Sequence, residues 1–521
     1  MTYDAIIVGG GHNGLVCAAY LARGGRRVLV LEAGATLGGA AITREFSPGF
    51  RVPAVAHLLH QLSARVVADL DLHRHGLDLA GSSLPTTALG DDGAVLSLDS
   101  GAAAAIAGAS TADAAAYADY QAQLTRLSRA LRPLLEESPP RLGSRAAADR
   151  WSLLRTGLRL RLLGRRDLRL LLRIAAMNVY DLLQEYFASP LLKGALAFDA
   201  VLGSNLGPRS PGSVLTLLYR RAAEVAAGDK GLCLPRGGMG AVTQALASAA
   251  RAAGAELRTD AEVTGLVVAE DRIAGVRLSS GETIAARAVA SSADPQTTLL
   301  GLLGPEHLDA GFVRRVGHLR NRGLAAKLHL ALRGRPQFGS LPGAALGGRL
   351  LVAPSMEYLE RAFNHSKYAE PSSLPALEVT LPSINDPALA PGGGQVLSAI
   401  VQYAPHAPKG GWVQHRQPFI DAAIAALARH APQLPSQIAA TELLTPADIE
   451  AQFRIRGGHW HHCELSFDQF YLVRPVPGTA QYRTPMAGLY LCGAGAHPGG
   501  GVTGHAGRNC ARQMLAAGDQ P

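Results

Sequence analysis

The sequence predicts an α/β fold built on a parallel sheet, and three features near its start carry that prediction. An apolar run, Tyr3-Asp4-Ala5-Ile6-Ile7-Val8, leads into Gly9-Gly10-Gly11-His12-Asn13-Gly14. A helical stretch follows from Leu15 to Arg23, and a second apolar run from Arg27 to Leu31 stops at Glu32. Strand, glycine turn, helix and a second strand ending in an acid form the order of a Rossmann-like dinucleotide-binding unit.

Each part of that unit has a physical task. Gly9 permits the tight turn out of the strand, Gly11 lets backbone approach a pyrophosphate, and Gly14 lets the helix pack on the sheet. The helix start, with His12 and Asn13, presents free N–H groups and a positive dipole end to the diphosphate. Glu32, 18 residues past Gly14, sits where an acid accepts hydrogen bonds from an adenosine ribose. Beyond it, Ala33-Gly34-Ala35-Thr36-Leu37 leads to a second glycine pair, Gly38-Gly39, followed by Ala40-Ala41. This stretch resembles the phytoene desaturase and amine oxidase superfamily of FAD enzymes, in which such a pair reaches the FAD pyrophosphate from the other side. Many members carry Arg directly after the pair. Ala40 in its place points toward the branch of desaturase-like carotenoid ketolases and pyridine nucleotide-disulfide oxidoreductase domain-containing protein 2, and away from the amine oxidases.

Two later segments fit the same resemblance. Around Leu234-Pro235-Arg236-Gly237-Gly238-Met239-Gly240 the α/β pattern returns, with an Ala-rich helix to Ala253 and strands at 256–258, 261–268, 273–278 and 283–290. The resemblance implies that Val263 meets the adenine through its backbone; a plain core-strand residue is the alternative. At the C-terminus, Gly488-Leu489-Tyr490-Leu491-Cys492-Gly493-Ala494-Gly495 reads as a buried strand entering a glycine turn, and His497 to Ala511 as a turn opening the last helix. By the resemblance, Gly493, Ala494, Gly501, Val502 and Thr503 approach the flavin, with a helix N-terminus near Val502 and Thr503 stabilising negative charge at the ring's pyrimidine end.

The implied architecture is a discontinuous FAD-binding domain of the glutathione-reductase-like class, residues 1–84, 226–304 and 481–521, interrupted by an inserted α+β substrate domain, 85–225 and 305–480. Alanine tracts at 102–107 and 114–118 read as helix. The stretch 150–173 reads as one basic amphipathic helix, with Arg155, Arg159, Arg166, Arg169 and Arg173 on one face and leucines mainly opposite. Such a face suits either an anionic membrane surface or plain solvent.

Composition narrows the function. With 521 residues, 48% of them hydrophobic, the chain can bury the cores of two or three domains. The net charge of +9 points to an anionic partner or surface. At 5% aromatic residues, and without zinc-finger spacing, it does not read as a nucleic-acid binder. Cys17, Cys233, Cys463, Cys492 and Cys510 form no CxxC, which excludes a redox dithiol and predicts a reducing compartment, the cytoplasm. No run of 18 apolar residues predicts a membrane span, and a first strand beginning at Thr2 or Tyr3 leaves no room for a signal peptide.

Three histidines, His459, His461 and His462, fall within four residues, but adjacent His461 and His462 are badly placed to share one ion, and no metal is predicted. His462, which matches a histidine usual in the branch, and His57, in the segment Val52 to His60 that the superfamily runs near the flavin, are the candidate catalytic residues; His60 is another. The sequence reads as an FAD-dependent oxidoreductase of the dehydrogenase or desaturase type, taking hydride from an apolar, carotenoid- or lipid-like substrate to flavin N5, with oxygen or a quinone as acceptor. Such chemistry asks little of acid–base side chains, and no catalytic constellation is expected. The alternatives are a carotenoid ketolase-like oxygenating enzyme, a flavin amine oxidase and a non-catalytic flavin-binding scaffold.

Overall fold

Short β-branched and leucine-rich runs assemble first into a five-stranded sheet. In the computed structural model, which describes residues 2–100, 105–339 and 341–517, its order is Glu256–Arg258, Val28–Leu31, Ala5–Val8, Val289–Ser291, Leu489–Leu491. Every pairing is parallel. Ala5–Val8, Val28–Leu31 and Val289–Ser291 are buried throughout, which explains why they read as continuous apolar runs. The helix His12–Arg23 leaves the central strand and packs on Gly240–Ala252 on one side and on the last helix, His505–Ala517, on the other. The strand order reverses between Ala5–Val8 and Val289–Ser291, so the crevice beyond their C-terminal ends is the place where such sheets bind ligands.

Gly14 shows why the turn needs glycine: a Cβ there would lie 2.1 Å from the carbonyl oxygen of Gly9. Beside this sheet stands an antiparallel three-stranded one, Val263–Ala269, Arg272–Leu278 and Thr283–Ala285.

The second body is an eight-stranded sheet in the order Ile438–Leu444, Ala325–Leu332, Gln395–Gln402, Leu377–Thr380, Arg349–Val352, Thr86–Leu89, Val95–Leu98, Ile106–Ala107. All its pairs are antiparallel except Arg349–Val352 with Thr86–Leu89. Part of it packs with Trp412–Ala428 into one core. A second core joins other strands of the sheet to the helices Thr111–Glu136, Val179–Gln184, Pro190–Val201 and Ser213–Ala226.

Several expected boundaries move. The strand read over 283–290 is two, split by the chain passing from the small sheet to the parallel one. Of the helix read over 102–107, residues 102–104 lie outside the described residues and Ile106–Ala107 is a strand pairing Ser97 and Leu98. The last helix begins at His505, with Val502 and Thr503 in the turn that leads into its N-terminus. The single amphipathic helix over 150–173 is two helices, Ala147–Leu162 and Gly164–Ile174, parted where Gly164 takes φ +80°. No residue of the first is buried, and its leucines largely face outward.

One side chain ties the segment 459–473 to the parallel sheet. Arg474 is fully buried, and six backbone carbonyl oxygens accept from its guanidinium: His461, Cys463, Glu464 and Gln469 on the loop side, Ala494 and Ala496 on the turn after Leu489–Leu491. A lysine offers at most three donors, and the Glu464 carbonyl also accepts from Gln469 Nε2, so Arg474→Lys strands at least two buried carbonyls at about 1–3 kcal/mol each. Denaturant unfolding should therefore show a loss of at least about 2 kcal/mol; a variant as stable as wild type would show that these contacts are incidental.

Candidate active site

The crevice predicted from strand order is a cleft of about 590 Å³, within the range of small-molecule and cofactor sites. Its walls come from three distant parts of the chain. Gly9, Gly11, His12, Asn13, Glu32, Ala33, Gly38, Gly39 and Ala40 form one, Val263 and Thr264 a second, and Gly493 and Ala494 a third, with His462 and Trp460 closing one side. Gly14 and Thr503 line neither this cleft nor the adjacent cavity: Gly14 works through helix packing, and Thr503 caps the last helix by accepting from the His505 N–H. Glu32 already has two backbone partners, Oε2 accepting from the Gly10 N–H at 2.7 Å and Oε1 from the Gly34 N–H at 2.8 Å. The carboxylate thus shapes the glycine turn and keeps lone pairs for a ligand hydroxyl.

The donor set fits a dinucleotide. A Cβ on Gly11 would meet no atom within 4 Å, so the backbone there faces open cleft. Buried polar atoms of the flanking residues, Nε2 of His12 and Oδ1 of Asn13, have no hydrogen-bond partner among the described residues. Two cations that the sequence reading did not assign, Arg454 and Arg456, also line the cleft; Arg454 is paired with Glu262.

A second cavity of about 170 Å³ opens beside the first, and His12, Ala40 and Trp460 line both. Gly501 and Val502 belong to this cavity. So do His57, His60, Gln61 and Tyr219, whose hydroxyl donates to the Gly500 carbonyl at 2.6 Å. Val55, Leu58, Leu202, Ile400 and Leu465 supply apolar wall, while Asp199, Arg220 and Glu378 supply charge. His57 and His462 therefore part company: His57 faces the second cavity, His462 the cleft.

The charged wall is a constellation the sequence reading did not expect. Lys327 Nζ lies 2.7 Å from His57 Nδ1, and His57 Nε2 lies 2.8 Å from Glu378 Oε1. Lysine carries no acceptor when protonated and Glu378 none to give, so one tautomer satisfies both contacts: Lys327 donates to Nδ1, and Nε2–H donates to the carboxylate. Arg349 then bridges Glu378 to Asp199, and Arg220 stands 3.5 Å from Asp199. Burial, then Lys327, pushes His57 down to about 4, so the ring is neutral. Burial holds Lys327 well below its ordinary value. Burial would raise Glu378, but Arg349, the His57 hydrogen bond and Arg220 together outweigh it and hold the carboxyl well below its ordinary value. His60 differs: neither ring nitrogen has a hydrogen-bond partner, and burial with Arg220 nearby lowers it to about 3.

The match to known proteins agrees with this geometry. The family model for flavin containing amine oxidoreductases matches residues 14–515. Pyridine nucleotide-disulfide oxidoreductase domain-containing protein 2 of Mus musculus is 36% identical over 98% of this chain and 93% of its own. The lycopene-forming phytoene desaturase of Pseudescherichia vulneris is 30% identical over 64% of this chain and 65% of its own. Among solved structures, cyclohexylamine oxidase from Brevibacterium oxydans superposes with a TM-score of 0.59 at 15% identity, covering 100% of both chains, a likeness of fold. The chain belongs to the flavin containing amine oxidoreductase family and is a phytoene-desaturase-like FAD-dependent oxidoreductase. FAD is its cofactor, and the donor set of the cleft fits it.

The buried imidazoles make acid stability a direct test. His12 and His57 are held to about 4, and His60, His459, His497 and His505 to about 3, in each case first by burial. Above pH 6.5 both folded and unfolded forms are neutral, with no effect on stability. Below it the unfolded chain takes up protons that the fold refuses, so stability falls as pH drops toward 4, by about 1.4 kcal/mol per pH unit for each histidine. Denaturant unfolding at pH 7 and pH 5.5 should show a steep loss; equal stabilities would mean the imidazoles are protonated in place.

Proposed function

We propose that this oxidoreductase is a dehydrogenase of the desaturase type, oxidising an apolar, lipid-like substrate that carries a polar group. The observation that supports this is the 170 Å³ cavity that joins the cofactor cleft at His12, Ala40 and Trp460 and is apolar on one side and charged on the other. On this reading the five-stranded sheet belongs to an FAD-binding domain of the glutathione-reductase-like class, and the eight-stranded sheet with its helices is the inserted substrate domain.

Bound flavin supplies a two-electron acceptor, taking hydride at N5. The protein's share is orientation, exclusion of water and custody of a proton. Val55, Leu58, Leu202, Ile400 and Leu465 would hold the apolar body against the cleft. The Lys327–His57–Glu378–Arg349–Asp199 chain fixes a rigid polar wall for the substrate's polar group. As hydride leaves one substrate atom, a proton must leave its neighbour. Three of the cavity's imidazoles, His12, His60 and His461, carry a buried nitrogen with no hydrogen-bond partner among the described residues, and His60 has a carboxylate, Glu224, 3.9 Å from its Nε2 to take the proton on.

Amines are a poorer match. An ammonium substrate calls for an uncompensated anion, and both carboxylates here are tied to arginine: Asp199 to Arg349 and Arg220, Glu378 to Arg349. Anaerobic mixing of the FAD-loaded enzyme with a panel of terpenoid and fatty alcohols, polyenes and primary amines distinguishes the readings by bleaching of the oxidised flavin. Bleaching by alcohols or polyenes, at least tenfold slower in His60→Leu at equal FAD content, with no labelled oxygen in the product of a separate aerobic turnover under labelled O2, is the expected outcome. Bleaching by amines alone, or labelled oxygen in the product, would replace the proposal with the amine oxidase or the ketolase-like reading.

A further inference from the structure

The two helices at 147–174 carry exposed apolar surface in a pattern that a surface packed on water does not need. Trp151 is 64% exposed, Leu154 62%, Leu158 53% and Leu162 75%. At 3.6 residues per turn these four fall within an arc of about 80° on Ala147–Leu162, forming an outward ridge. Leu172, 71% exposed on Gly164–Ile174, adds a further apolar contact. The basic residues are arranged around it. Arg155 and Arg159, on one flank, are pinned to Glu137. Arg150 and Arg161 border the other flank, and Arg165, Arg166 and Arg169 follow on the second helix. All five are exposed, and no ion pair occupies them among the described residues.

The opposite side of Ala147–Leu162 faces the protein. Leu160 packs on the helical core, and Thr156 adjoins Tyr471. Next to Tyr471, Phe470 meets the ring of Tyr219, edge on at 6.2 Å, and Tyr219 lines the 170 Å³ cavity. The helix therefore lies over the wall of that cavity.

We propose that residues 147–172 form a docking arm for an anionic bilayer, with the Trp151–Leu162 ridge entering the headgroup boundary and the unpaired arginines engaging lipid phosphates. Charge decides the occupant. A second copy docked ridge to ridge would bring two rows of unpaired guanidinium groups together, whereas an anionic surface neutralises them. This stands independently of the substrate reading, because it rests on exposure and charge alone.

The test uses full-length, FAD-loaded protein with phosphatidylglycerol and phosphatidylcholine vesicles. Wild type should co-sediment with phosphatidylglycerol at low salt, leave it at high salt, and bind phosphatidylcholine at least tenfold more weakly. Leu154→Gln/Leu158→Gln should lower the bound fraction at least tenfold, as should Arg161→Gln/Arg165→Gln/Arg166→Gln. None of these side chains is buried, so FAD content serves as the folding control. A blue shift of tryptophan emission on vesicle binding should be absent in Trp151→Phe. Wild type remaining in the supernatant overturns the proposal. So does binding that ignores the leucine changes, or a solution dimer that Leu154→Gln dissolves, which would assign the ridge to a second copy.

Discussion

The arrangement depends on a buried guanidinium that has no carboxylate beside it among the described residues. Arg474 takes its counter-charge from six carbonyl dipoles, four on the loop that carries Trp460, His461 and His462 and two on the turn after the last strand of the parallel sheet. Stripping a charge of water is costly unless hydrogen bonds replace the lost solvent, and here every acceptor is main chain, so the loop's path is fixed with little dependence on its side chains. Because Trp460 and His462 both line the cofactor cleft, this one residue sets the wall against which the flavin would lie. The 459–473 segment has only short helical turns of its own, and Arg320 grips its outer side through Glu464, Ser466 and Asp468 while Arg474 holds it from within.

The adjacent cavity follows a different rule. Its charged groups are partnered along a chain from Lys327 to Asp199, and the chain keeps the charges where water cannot screen them. Low-dielectric surroundings make each partner's loss expensive, so the wall is rigid where the apolar side is merely shaped. His60 stands outside that chain with unsatisfied nitrogens, which separates a structural imidazole, His57, from an available one.

The parallel sheet and its cleft were legible because their signal is local. Gly9, Gly11, Gly14 and Glu32 are tied by strand–turn–helix geometry within one short segment, and the parallel strands other than the edge strand Glu256–Arg258 are buried on both faces, so their apolar runs are unbroken. The charged wall was not legible, since His57, Asp199, Lys327, Arg349 and Glu378 come from five distant stretches and meet only when the eight-stranded sheet forms. A clue was present: Lys327 and His329 interrupt the apolar run of Ala325–Leu332, and a strand buried over its whole length tolerates such residues only with partners. The 147–174 segment shows the other limit. Helical spacing separates arginine from leucine correctly but cannot tell which side faces the protein, and the Glu137 pairs turn two arginines inward while the ridge points out. Gly164, lost among the leucines and arginines, ends the first helix through its positive φ.

The 590 Å³ cleft and the adjacent 170 Å³ cavity meet at His12, Ala40 and Trp460. A crystal structure of the FAD-loaded protein tests most directly the reading of the first as cofactor cleft and the second as substrate cavity. The account predicts the isoalloxazine ring at that junction, one face turned to the cavity lined by His57, His60 and Tyr219, with the ribose near Glu32. A ring lying elsewhere in the cleft, with protein packed between it and that cavity, would contradict the account.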